Sequence, residues 1–139
     1  MNDNVRDVMC PSPVTLPASA SLLEAARTMR EQDIGDVIVL EGNRLAGILT
    51  DRDLVVRGIA EGRDPERTRI GDVCSRELTT IAPDESVSQA VRIIREKAIR
   101  RLPVEEDGRV IGIVTMGDIA LARDRRSALA DVSAAPPNL

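Results

Sequence analysis

Gly47-Ile48-Leu49-Thr50-Asp51-Arg52-Asp53 returns, at an offset of 65 residues, as Gly112-Ile113-Val114-Thr115-Met116-Gly117-Asp118. Both stretches spell Gly-apolar-apolar-Thr-x-x-Asp. With the chain laid over itself at that offset, without gaps, Asp7 meets Asp72, Thr15 meets Thr80, Ser21 meets Ser86 and Ala25 meets Ala90. The match runs on through Arg27/Arg92, Arg30/Arg95, Glu31/Glu96, Ile34/Ile99 and Arg44/Arg109 into the quoted motif. A period well above ~50 residues marks a duplicated unit rather than a solenoid.

Each copy carries the same succession of local signals. An extended piece (13–16; 78–81) leads into Ser21-x-x-Glu24 or Ser86-x-x-Gln89, the pattern of a helix capping box. The following helices place Leu22, Ala25, Ala26 and Met29, or Val87, Ala90, Val91 and Ile94, at i, i+3, i+4 and i+7, one buried stripe apiece. Residues 36–40 and 102–105 then read as strands, a turn follows (41–43; 106–108), and 45–49 and 110–114 complete a hairpin. A second helix starts after Thr50 or Thr115. The order strand, helix, strand, strand, helix, twice over, predicts an α+β fold of two βαββα repeats about a pseudo-twofold axis. The repeats span 7–61 and 70–124. The polar, Pro-broken stretch 62–69 is the expected linker, and 125–139 the end of the last helix with a flexible tail. Ala120, Leu121, Ala128, Leu129 and Ala130 give that last helix a partly apolar stripe suited to subunit packing.

Composition removes whole classes of chemistry. The chain has no His and no aromatic residue. His-based acid–base catalysis and His metal ligation are therefore excluded, as is stacking of bases on aromatic rings. A formal charge of -4 disfavours a nucleic-acid partner. Two cysteines, Cys10 and Cys74, make neither a disulfide framework nor a cysteine-only zinc site. They read as ordinary thiols, with a regulatory pairing the alternative. No apolar run approaches the ~20 residues of a membrane span and no secretion signal stands at the N-terminus, so the expectation is a cytoplasmic protein without a membrane partner. No nucleophile–base pair or metal cluster suggests an enzyme.

The motif itself supports two readings. A helix starting after Thr50 or Thr115 offers unpartnered amides that welcome a phosphate. Asp53 and Asp118, one turn in, present acceptor oxygens suited to the vicinal diol of a ribose, and Gly47 and Gly112 permit close approach of a backbone or a flat base. The same atoms also read as a capping box, Thr as N-cap and Asp reaching back, with glycine there only for packing.

Two βαββα copies, each ending in Gly-h-h-Thr-x-x-Asp, with Arg101-Leu102-Pro103-Val104 in the second, resemble a tandem pair of cystathionine-β-synthase (CBS) domains, a Bateman module. The likeness covers about residues 7 to 123. Met29-Arg30-Glu31-Gln32-Asp33-Ile34-Gly35 and Leu49-Thr50-Asp51-Arg52-Asp53 are further similar to small stand-alone members of that family. The resemblance implies a non-catalytic sensor that binds an adenine nucleotide (AMP, ADP or ATP) in a cleft between the repeats, with Mg²⁺ as a candidate companion and no resident cofactor or metal. It implies a first site of Thr50, Asp53, Thr80, Ile81, Arg100 and Arg101, and a second of Thr115, Asp118, Thr15, Gly35 and Asp36. Arg100 and Arg101 favour phosphate in the first, unless they are merely solvated or paired with Glu105 and Glu106. Asp36 disfavours phosphate in the second, unless Arg52 compensates its charge. Ile38 stands where the family has the proline that Pro103 supplies, a departure in the first repeat. A homodimer and a separate effector protein are the implied partners. The alternative is a dimeric structural or stress-related scaffold with empty sites.

Overall fold

The structure, a computed structural model, describes residues 3–76 and 78–124. The expected helix end and tail, residues 125–139, lie outside the described residues. The elements in order are α1 (Val5–Val8), β1 (Cys10–Pro11), β2 (Thr15–Pro17), α2 (Leu22–Gln32), β3 (Asp36–Glu41) and β4 (Arg44–Thr50). Next comes α3, which opens with one α-turn over Asp51–Asp53 and continues as a π-helix over Leu54–Ile59. A 3-10 turn (Ile70–Asp72), α4 (Val87–Lys97), β5 (Arg101–Glu106), β6 (Arg109–Thr115) and α5 (residues 116–124) complete the chain. No helix among the described residues is long and apolar enough to cross a membrane.

The chain divides into two compact units, and neither is a contiguous half. One comprises Met1–Pro11, Thr80–Glu106 and Ile111–Leu139; the other comprises Ser12–Thr79 and Asp107–Val110. The leading segment of each repeat thus sits in the unit built around the other repeat.

In the unit of the first repeat, β2 lies parallel to β3 and β3 antiparallel to β4. Ser75 bridges Ile48 on the free edge of β4, with the Ile48 and Ser75 backbones bonding in both directions at 3.0 and 3.1 Å. The 3-10 turn docks through Ile70 N–H on the Ala20 carbonyl at 2.8 Å. Helix α2 begins because Ser21 Oγ accepts the Glu24 N–H at 3.0 Å, one helical orphan satisfied. Leu22, Ala25 and Met29 of α2 pack with Val37, Val39, Leu49 and Ile70 in the core. Ala26, expected in that stripe, is exposed instead. It lines an apolar groove beside Leu22, Leu23, Leu54, Val55 and Ile59.

The unit of the second repeat obeys the same plan at the same offset. Its sheet runs β1-β6-β5, with Cys10 opposite Ile113 as Ser75 is opposite Ile48. Ile81 bridges Val104 in parallel, the counterpart of Leu16 beside Val39. Ser86 Oγ caps α4 through Gln89 N–H at 3.0 Å. Ala90, Val91 and Ile94 enter the core with Val5, Leu102, Val104, Val114 and Ile119, and Val87 packs at its border. Helix α1 and strand β1 belong to this unit although in sequence they lead into the first repeat; Val5, fully buried, is their anchor.

Candidate functional site

Both Thr-x-x-Asp corners close as reciprocal caps. Asp53 Oδ2 accepts the Thr50 N–H at 2.9 Å, and Thr50 Oγ1 accepts the Asp53 N–H at 3.1 Å. In the second repeat the same pair of bonds, Thr115 N–H to Asp118 Oδ2 and Asp118 N–H to Thr115 Oγ1, measures 3.1 and 3.0 Å. One oxygen of each acid is thus committed to its own backbone. A carboxylate has about four lone-pair positions, so the other oxygen retains capacity. The two acids differ in what faces it. Arg57 Nε stands 3.7 Å from Asp53 Oδ1, whereas among the described residues no cation pairs with Asp118.

The motif's glycines are explained by packing. A Cβ on Gly47 would stand 2.5 Å from the Ser75 carbonyl oxygen and 2.7 Å from Cys74 Sγ. On Gly112 it would meet Met9 Sδ at 2.5 Å and the Cys10 carbonyl oxygen at 3.0 Å. Each glycine lets the neighbouring extended segment close onto its strand. Cys74 and Cys10 are both free; Cys10 is exposed, whereas burial pushes the Cys74 thiol pKa up.

The residues before each hairpin gather beside the cap of their own repeat. Asp36 is opposite Thr50 in the β3–β4 ladder, and the Gly35 carbonyl accepts the Asp51 N–H at 2.9 Å. At the equivalent place Arg100, Arg101, Thr115, Met116 and Gly117, with Ile99, line a pocket of about 390 Å³. The duplication therefore puts Asp36 and Arg101 at corresponding positions with opposite charge. Arg100 and Arg101 thus stand with Thr115, a grouping that the repeat alignment permits but the family-based assignment had not made. Ile99, Met116 and Gly117 carry no distinctive signal in the sequence. Glu106, one expected partner for those arginines, is engaged by Arg6 at 2.7 Å, and that hydrogen bond raises the Arg6 pKa.

The other expected residues are placed as follows. Thr15 is exposed on β2, beside Ile38. Thr80 is half-buried. Ile81 is 4% exposed and belongs to the hydrophobic core, its backbone bonded to Pro103 and Glu105. No group of three or more His, Cys, Asp or Glu side chains able to hold a metal occurs among the described residues.

Two stretches of the chain, residues 5–58 and 70–125, match the family model described as the CBS domain. The uncharacterized protein MK0525 of Methanopyrus kandleri is 40% identical over 116 residues, 82% of this chain but 57% of that protein's length. Hypoxic response protein 1 of Mycobacterium tuberculosis is 35% identical over 116 residues, 83% of this chain and 81% of that protein. The crystal structure of Hypoxic Response Protein I with two coordinated zinc ions superposes with a TM-score of 0.77 at 34% identity, covering 86% of this chain and 98% of that one. The CBS domain pair of MJ0100, solved in complex with 5-methylthioadenosine and S-adenosyl-L-methionine, gives a TM-score of 0.79 at 26% identity over 91% of this chain and 99% of that one.

Proposed function

The chain belongs to the CBS-domain family as a tandem pair, and from that premise we propose that it is a non-catalytic sensor whose second repeat binds an adenosine ligand bearing phosphate, of the AMP, ADP or ATP type. The observation that carries this reading is the pocket of Arg100, Arg101 and Thr115. Two arginines, Arg100 and Arg101, line it, and Met116 and Gly117 occupy the first two positions of α5, whose amides have no intrahelical acceptor. Charge-assisted bonds from arginine and helix-end amides are a common way to hold phosphate. The crystal structure of MJ0100 with two adenosine compounds supports the adenosine class. The corresponding corner of the first repeat has Gly35 and the acidic Asp36 where the second has Arg100 and Arg101, so the two repeats are expected to differ in affinity for phosphate.

The test is titration calorimetry with AMP, ADP, ATP, 5-methylthioadenosine and S-adenosylmethionine, with and without Mg²⁺, on wild type and on Arg100→Ala and Arg101→Ala. Each substitution is expected to weaken a phosphate-bearing ligand about tenfold or more while leaving methylthioadenosine within about twofold. Equal weakening of both ligand kinds would move the phosphate elsewhere. Absence of binding by every compound would remove the sensor reading.

A second reading has its own support. Both motif acids are folded onto their own amides, as a scaffold that binds nothing would require. In either reading the partner proposed is a second copy of the chain, docked on the apolar groove between α2 and α3 where Val55 and Ile59 are each 59% exposed. An effector protein that reads the bound state is a further proposal of the sensor reading.

A further inference from the structure

Arg57, on α3 four residues after Asp53, does more than pair with that acid. Its Nε lies 3.7 Å from Asp53 Oδ1, and its Nη1 donates to the Val73 carbonyl at 3.4 Å. One guanidinium thus spans the carboxylate oxygen left over from the Thr50 cap and a backbone carbonyl of the segment 69–76. At the repeat offset the counterparts of Asp53, Val73 and Arg57 are Asp118, Val8 and Ala122. Ala122 has neither the length nor the charge to repeat the arrangement. Where the guanidinium lies in one unit, the other has a pocket of about 290 Å³ whose lining includes Asp7, Val8, Cys10, Asp118, Ala122 and the apolar Leu121.

Two carboxylates border that pocket. Asp7 Oδ2 accepts the Asn4 N–H at 3.2 Å and Asp118 Oδ2 accepts the Thr115 N–H at 3.1 Å, so each spends one oxygen on its own helix start. Among the described residues no cationic side chain pairs with either acid. We propose that this pocket is a binding site for the alkylguanidinium group of a small molecule, with Arg57 as the protein's own example of the occupant. A planar fork of N–H donors fits a carboxylate beside a carbonyl better than a compact ammonium does. The negative potential of two nearby carboxylates attracts a cation to the opening. The α-helical spacing of Asp118 and Ala122, i and i+4, is also the spacing from which an arginine reaches an acid. None of the pocket's residues lines the Arg100–Arg101 pocket, although Asp118 shares its capping box with Thr115 there; ethylguanidinium, which has neither ribose nor phosphate, tests this pocket apart from the nucleotide reading.

Proton–nitrogen NMR titration of the unliganded protein with ethylguanidinium chloride tests it, with tetramethylammonium chloride at equal ionic strength as control. Saturable shifts of the Val8, Met9, Cys10, Asp118 and Ala122 amides, absent in the control, are expected in wild type. Ala122→Arg writes the Arg57 arrangement into this unit and should weaken that response about tenfold or more, the ligand now competing with a tethered group. Arg57→Ala should gain a second saturable set of shifts around Asp53 and Val73. Linear, unsaturated shifts in wild type, undiminished binding in Ala122→Arg, or no second set in Arg57→Ala would each overturn the assignment.

Discussion

At the scale of single residues, Gly47 and Gly112 carry the tightest packing in the molecule's two motifs, and they are not equally replaceable. A methyl group on Gly47 meets a backbone carbonyl at 2.5 Å and a buried cysteine sulfur at 2.7 Å, neither of which has room to retreat. The methyl on Gly112 meets chiefly the sulfur of Met9, the pliable end of an unbranched side chain. Overpacking of this kind costs about 1–3 kcal/mol. Gly47→Ala should therefore lower the free energy of unfolding by that order in urea titration, and Gly112→Ala by less. Equal losses, or a neutral Gly47→Ala, would mean that the strand and the segment 74–75 part easily. The glycines were legible as a requirement for close approach, but a sequence does not say whether the approaching group is a nucleobase or the chain itself. Here it is the chain. Asp53 and Asp118 pose the same ambiguity, because a cap and a ligand site ask for the same residue type at the same spacing. The hydrogen bonds assign one oxygen of each to the cap.

At the scale of elements, the two long helices start alike and stop alike. Ser21 and Ser86 cap their N-termini, and both helices end on a left-handed residue, Asp33 at φ 55° and Ala98 at φ 52°. Aspartate tolerates that conformation better than alanine, which has no polar group to compensate its crowded Cβ. Ala98→Gly should raise stability by about 0.5–1 kcal/mol, visible as a melting point a few degrees higher, through relief of that crowding. A lower melting point would show that the entropy glycine adds to the unfolded chain outweighs the relief. The helices, hairpins and caps were all written in short-range patterns of charge, hydrophobicity and Ser or Thr placement. Three features were not. Helix α1 and strand β1 are four and two residues long and owe their form to partners more than 70 positions away, Ser86 for Asn4 and Ile113 for Cys10. The π-helical stretch of α3 has no distinguishing spacing, and its counterpart α5 is an ordinary α-helix.

At the scale of the whole molecule, the duplication is visible at a glance, yet the exchange of leading segments is not. Residues 4–11 and 69–76 align with each other in the repeat, so no pattern in the sequence tells whether each serves its own sheet or the other one. Backbone pairing decides it: Cys10 lies against Ile113, and Ser75 against Ile48. The same blindness affected the candidate site, where the charge at positions 36 and 101 was plain but the company each residue keeps was not. The duplication also repeats an apolar exposure, Val56 at 46% and its counterpart Leu121 at 52%, each on the helix that follows a cap. In the first repeat Val55 and Ile59 join Val56 on one short helix, more aliphatic surface in water than a scatter of single residues, and covering it by a second copy releases that cost at roughly 25 cal/mol per Å². Wild type is therefore expected to run as a dimer of the 15.1 kDa chain in light scattering coupled to size exclusion. Val55→Asp combined with Ile59→Asp should shift it to monomer, because two carboxylates in a dry contact lack partners. Both side chains are outward-facing, so the monomer should keep its far-ultraviolet circular dichroism. A wild type that stays monomeric at high micromolar concentration, or a double variant that stays dimeric, would place the subunit contact on another face.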